Sequence, residues 1–238
     1  MKIIFLNSWY AQTGEPYYKF IKENSQKTDI FCLTEVHPEM FARLQKLLPK
    51  FDAIYERSMF DKTMGFDYGQ AILSKGNIKV ERLTRIEAFR NVYNDIGFAV
   101  AYKLKINGEV LYLVNVHGKS RPGTKLDTPA RIKQSKKIID SLKDKAGPKI
   151  IGGDFNLMPE TRSVAMFEEA GYRNLIKDFG IKNTRNKVSW RHFENIQHFA
   201  DFCFVSPEIK IKNFQVPYNE VSDHLPLVLD FSFGSAQD

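Results

Sequence analysis

The 238 residues are 43% hydrophobic and 26% charged, ordinary globular usage with enough apolar material for one packed core. No Ser/Gly/Pro-rich linker, low-complexity block or fixed-period repeat divides them, so residues 1–238 read as one domain, with a tail after about 233 expected to be disordered. The net charge of +7 favours polyanionic partners, and no stretch approaches the roughly 18 uncharged residues of a membrane span.

The opening apolar run, residues 1–6, stops at Asn7 and Ser8, too soon for a signal-peptide core. Residues 2–6 are expected as a short buried strand. Pro16 suits the first turn of a helix whose apolar side is Tyr17, Phe20 and Ile21. Residues 30–34 read as a second apolar strand ending at Glu35. Met40, Phe41, Leu44, Leu47 and Leu48 mark an amphipathic helix with Pro38 near its start.

Strands are then expected over 52–56, 70–74, 78–87, 96–106 and 110–116, the last two joined by the hairpin signal Asn107-Gly108. Thr128-Pro129 opens a helix with the face Ile132, Ser135, Ile138, Ile139 and Leu142. Residues 149–152 read as a strand, and 163–169 as a short helix closed by Gly171. Strands over 200–205, 210–216 and 226–233 end the chain. Cys32 and Cys203 lie inside apolar strands and read as small buried side chains, in keeping with a reducing cytoplasm. Many strands with a few interspersed helices argue for mixed sheets rather than a pure βαβ winding.

Polar residues stand at the ends of five of these apolar runs: Asn7, Glu35, Asp154 with Asn156, Asp201, and Asp223. Any one of them can be a cap or turn former. Five in register with five strands point instead to convergence on one site. Asn, Glu and Asp offer hard oxygen donors, and no Cys/His spacing suggests zinc, so the set suits Mg²⁺ or Mn²⁺. In Gly152-Gly153-Asp154-Phe155-Asn156 the glycines permit a close backbone approach. Asp154 and Asn156 share a face if the strand continues, one able to accept a proton from water and the other to donate its amide to a phosphate oxygen. In Ser222-Asp223-His224 an imidazole precedes the final strand, where Asp201 can hold it by a carboxylate–imidazole hydrogen bond.

Together with Thr34-Glu35, Asn115-Val116-His117 and Ala200-Asp201-Phe202, these motifs make the chain resemble the endonuclease/exonuclease/phosphatase (DNase I-like) superfamily over nearly its whole length. The resemblance implies an α/β (α+β) four-layer sandwich, two mixed β-sheets packed face to face and flanked by helices. It implies that Glu35 binds the metal, with Asn7 and Asp223 in or near the coordination shell. Asn156 and His117 would contact the scissile phosphate, Asp154 would help activate water, and His224, oriented by Asp201, would be base or phosphate stabiliser. Trp9 stands where several DNA-repair members carry an Asp, and His117 where the abasic-site endonucleases carry a Tyr. The chain thus looks more like the deoxyribonuclease, sphingomyelinase and tyrosyl-phosphodiesterase branches.

Lys119, Arg121 and Lys125 in one loop, and Arg185, Lys187, Trp190 and Arg191 in another, could hold a nucleic-acid backbone and stack a base, or could be solvated loops with one anchoring Trp. The expectation is a monomeric Mg²⁺- or Mn²⁺-dependent phosphodiesterase, foremost a nuclease acting on DNA or RNA. A small-molecule or lipid-headgroup phosphatase is the alternative. A non-catalytic binding module fits less well, because every expected catalytic position is filled.

Overall fold

The apolar run before Asn7 forms β1 (Lys2–Asn7), buried on both faces as a near-continuous hydrophobic strand must be. In the computed structural model, which describes residues 1–62, 65–89, 97–190 and 197–234, β1 pairs parallel with β2 (Ile30–Val36) and antiparallel with β12 (Leu227–Ser232). With β3 (Phe51–Asp61), β4 (Phe66–Lys75) and β11 (Lys210–Gln215), the first sheet runs β11-β12-β1-β2-β4-β3. The second sheet holds β5 (Lys79–Ile86), β6 (Phe98–Ile106), β7 (Glu109–His117), β8 (Lys149–Asp154), β9 (Arg173–Asn174) and β10 (Asp201–Val205), in the order β5-β6-β7-β8-β10-β9.

The sheets face one another across a core that includes Ile3, Phe5, Cys32 and Ile72 from the first and Val100, Leu113, Ile150 and Cys203 from the second. Helices α1 (Glu15–Ser25) and α2 (Pro38–Leu47) bury Tyr17, Ile21, Met40 and Leu44 on the outside of the first sheet. Helices α3 (Pro129–Leu142) and α4 (Arg162–Glu169) bury Ile138, Leu142, Val164 and Phe167 on the outside of the second. Each such side chain removed from water contributes about 1.5–3 kcal/mol. This is the expected four-layer arrangement.

The differences from expectation are local. Strands β3 and β4 reach well past 52–56 and 70–74, because edge-hairpin pairing carries polar residues such as Arg57, Ser58 and Asp67 that apolar periodicity does not register. Helix α3 buries Arg131, Gln134 and Ser135 beside Ile138 and Leu142, and leaves Ile132 only half-buried. The short β9, α5 (Leu175–Asp178) and α6 (Lys187–Trp190) carried no sequence signal. Residue 96 and the tail from 235 lie outside the described residues. Cys32 and Cys203 are both buried and unpaired.

Topology explains why one end of the sandwich is polar. Strands β1, β2, β7 and β8 end there, while the antiparallel β10 and β12 begin there. Register places Asn7 beside Thr34, His117 beside Asp154, and Asp154 beside Asp201. Gly152 lets the sheets approach: the Phe5 ring lies 2.6 Å from where a Cβ would stand. That closeness lets Asn7 on one sheet reach Asp154 on the other.

Candidate active site

Glu35 reaches the inter-sheet space through a backbone irregularity. Its neighbour Thr34 pairs with Gln70, whose amide donates to the Phe98 carbonyl across the sandwich, so both face inward. Strict alternation would turn Glu35 outward. A bulge between Thr34 and Val36, with Glu35 at φ 53°, turns it back in. Asn156 is placed in the same way. β8 stops at Asp154, so strand alternation does not align the two side chains as expected. Instead Asn156 adopts φ 53°, a conformation Asn tolerates, and its N–H donates to Asp154 Oδ1 at 2.8 Å.

Asp154 is the hub. Its Oδ2 accepts from Asn7 Nδ2 at 3.0 Å and from Asn156 Nδ2 at 3.2 Å. His117 Nε2 lies 3.5 Å and His224 Nε2 3.8 Å from the same oxygen. Asn7 also donates to Glu35 Oε1 at 3.0 Å, and His117 Nε2 lies 3.4 Å from that atom. Asp201 Oδ2 meets His224 Nδ1 at 2.8 Å, so the expected carboxylate–imidazole pair is present in the geometry. Asp223 Oδ2 lies 4.0 Å from His224 Nε2 and 3.8 Å from Arg185 Nη2. The eight acid, amide and imidazole residues expected from strand ends therefore meet at one place.

The electrostatics separate these groups. Burial opposes ionisation of Asp154, but the charges of His224, His117 and Lys125 outweigh it and hold the carboxyl far below its usual range. Burial opposes charging of His117, yet hydrogen bonding to Asp154 and Glu35 lifts it to about 9. His224 also rises to about 9, because Asp201, Asp223 and Asp154 together exceed the cost of burial. Burial pushes Asp201 and Asp223 up, and for Asp223 the nearby Glu35 and Asp154 add to the rise. Four carboxylates crowded together, Glu35, Asp154, Asp201 and Asp223, make a site that a divalent cation would relieve.

Ligand atoms of Glu35, His117 and Asp154 lie within 4.8 Å of one another, as do those of Asp154, Asp201 and His224. The oxygen-rich first group fits a hard cation. Asn7 presents its NH₂ to Glu35 and Asp154, while its oxygen accepts the Trp9 N–H at 3.0 Å. As a direct ligand it would have to turn its amide over.

The basic residues divide. Arg185 is buried against Asp223 and donates to Gln197 at 3.4 Å, so it belongs to the wall of the site. Lys119 lies over the Phe89 ring at 4.3 Å, Arg121 is exposed, and Lys187 pairs with Glu220 at 2.8 Å. The Trp190 side chain and Arg191 lie outside the described residues. Two further groups enter: Tyr68, which sequence reasoning did not single out, and Lys125, which it read only as a loop cation able to hold a nucleic-acid backbone. Tyr68 Oη hydrogen-bonds His117 Nδ1, and Lys125 Nζ donates to Asn156 Oδ1. Neither stands at a strand end, and no local motif marks Tyr68.

The family model of the Endonuclease/Exonuclease/phosphatase family matches residues 11–224. The chain belongs to that family. Members of the endonuclease/exonuclease/phosphatase family are hydrolases acting on phosphoesters, and their fold is generally metal-dependent. The human Nocturnin catalytic domain with bound sulfate is 21% identical, with 98% of this chain and 93% of that chain covered and a TM-score of 0.74. D. rerio TDP2 complexed with single-strand DNA product is 17% identical, with 98% of each chain covered and a TM-score of 0.75. A mannosyl-6-phosphatase of Bacteroides thetaiotaomicron is 19% identical, with 98% and 100% covered and a TM-score of 0.71. Among curated proteins, a "UPF0294 protein" of Vibrio campbellii is 26% identical over 127 residues, 53% of this chain but only 41% of that relative. No helix among the described residues is long and apolar enough to cross a membrane.

Proposed function

We propose that this endonuclease/exonuclease/phosphatase family chain is a Mg²⁺- or Mn²⁺-dependent phosphodiesterase that cleaves nucleic acid by in-line attack of water on phosphorus. The observation that carries the reading is the convergence of Glu35, Asn7, His117 and His224 on Asp154 within hydrogen-bond or ion-pair reach. Glu35 would hold the cation, with Asn7 and Asp223 beside it. When bound, the ion would supply positive charge where the phosphate oxygens become more negative.

The chain's own groups divide the remaining work. Asp154, held far below the usual carboxylate range, is a poor proton acceptor and suits orienting the attacking water. His224 holds its Nδ1 against Asp201, which leaves Nε2 facing Asp154 and Asp223 as the group to take the water's proton. His117 Nε2 and the Asn156 amide would face the phosphate oxygens. The likeness of fold to TDP2 crystallised with a single-strand DNA product supports a nucleic-acid substrate.

A second reading, a phosphomonoesterase for a small substrate, is favoured by the withdrawal of Arg185 and Lys125 from the surface. Buried cations grip one phosphate rather than track a strand. The experiment is a substrate panel of single-stranded DNA, duplex DNA, RNA, a generic phosphodiester and a sugar phosphate, followed by a salt titration on the best. A nuclease that neutralises several phosphates should show a steep linear log–log salt dependence. Good turnover of the sugar phosphate with no cleavage of any nucleic acid would overturn the nuclease reading in favour of the second.

A further inference from the structure

Lys125 is a costly residue. Its side chain is buried, and its ammonium group, with three hydrogens to donate, has one hydrogen bond among the described residues, to Asn156 Oδ1. Burial pushes it down to about 8, against the pull of Asp154 and Asp201 and with the repulsion of Arg185 and Arg131. Its backbone adopts φ 59°, the left-handed region that a long side chain disfavours.

The surrounding loop is built to hold that conformation. The Arg131 guanidinium donates to the carbonyls of Lys119, Ser120, Pro122 and Leu126 at 2.6–3.4 Å. Gln134 accepts the Lys119 N–H at 3.0 Å, and the Lys125 carbonyl accepts the Met158 N–H at 2.9 Å. Asp127 takes the Arg162 and Ser163 N–H groups at 2.6 and 3.0 Å, tying the loop to the start of α4. A buried arginine, a capping carboxylate and a strained backbone all serve to present one ammonium beside the Asp154 hub. Such a concentration of unfavourable local features is what functional positions carry.

We infer that Lys125 is a catalytic residue that donates a hydrogen bond from Nζ to a non-bridging oxygen of the scissile phosphate. The placement supplies a fixed cation on the Asn156 side of the Asp154 hub, in addition to the cation that Glu35 would hold. Charge gathering on the equatorial oxygens is then balanced by both. The inference rests on the phosphoester-hydrolase reading above and adds a phosphate contact to it.

The test uses Lys125→Met, which keeps the chain's length and removes the charge, with inorganic phosphate as the binding probe. Phosphate should bind about tenfold to a hundredfold more weakly than to the wild type, the loss of one buried charge-assisted hydrogen bond. The melting temperature should change little, since the burial cost of the ammonium is removed while Asn156 Oδ1 loses a donor. In Lys125→Ala, exogenous methylammonium should restore part of both phosphate binding and turnover. Wild-type phosphate affinity and turnover in Lys125→Met would overturn the assignment, as would a folded Lys125→Ala that methylammonium does not rescue. Glu35→Gln separates the two ideas. Loss of turnover there with none in Lys125→Met defeats the Lys125 contact alone, full turnover in Glu35→Gln defeats the metal-holding role of Glu35, and no turnover of any phosphoester by the wild type defeats the hydrolase reading beneath both.

Discussion

Asp201→Asn changes the charge behind His224 while keeping the shape of the side chain. In the wild type Asp201 Oδ2 lies 2.8 Å from His224 Nδ1, with both groups buried. The rise of His224 from 6.5 to about 9 corresponds to about 3 kcal/mol in favour of the imidazolium. Asp201 leads the carboxylates that produce it, so most of that stabilisation should vanish. The sign is fixed by linkage. A histidine whose folded value is raised contributes its full stability below the unfolded value of about 6.5 and loses it as pH climbs through the folded value. Metal-free Asp201→Asn should therefore be less stable than the wild type near pH 6, with the gap closing towards pH 9 and above. The deficit should be smaller than about 3 kcal/mol, because burial also pushes the Asp201 carboxyl up and its removal relieves that cost. In the loaded enzyme the Asn amide can turn an N–H towards the ring and favour the wrong tautomer. The rate should then fall by about 10²- to 10⁴-fold, with substrate affinity little changed. The acid limb of the pH–rate profile should move to lower pH. Paired thermal melts and pH–rate profiles on a generic phosphodiester read both effects. An acid limb that stays in place, with a rate close to the wild type, would show that His224 is not the titrating base.

Glu35→Gln, or exhaustive chelation of the wild type, should abolish turnover while leaving the fold intact. A circular-dichroism melt beside the assay checks that the loss is chemical. Loading the metal-free protein with Mn²⁺ near pH 7.5 should release protons, because His117 and His224, both held at about 9, lose affinity for protons when a second cation arrives. Calorimetry in two buffers of different ionisation enthalpy measures that release, and no buffer dependence would count against it. Tyr68→Phe removes the hydrogen bond to His117 Nδ1. It should cost about 1–3 kcal/mol of stability for the unsatisfied buried nitrogen, and a change in the His117 ring signals by NMR would mark the lost partner.

How far the site was legible in the sequence follows from what each residue owes to its neighbours in the chain. Asn7, Glu35, His117, Asp154, Asp201 and His224 each interrupt or border an apolar strand, and a strand end is visible in local patterning. Once the strands pair in register, those ends must meet. The bulge at Glu35 and the turn at Asn156 were not legible, because they depend on backbone conformations at φ 53° that neither residue type imposes. Arg131 illustrates the limit most sharply. By helical spacing it borders the apolar face of α3 and reads as a solvated charge, yet it is buried on carbonyls up to twelve residues away in sequence. Those carbonyls have no strand or helix partner to accept from, so the loop can be buried only if a donor as versatile as guanidinium enters with it. Lys125 is the residue that this loop presents to Asn156. Its placement is set by the folded loop as a whole, which is why a basic residue that looks like one of several surface charges stands instead inside the site.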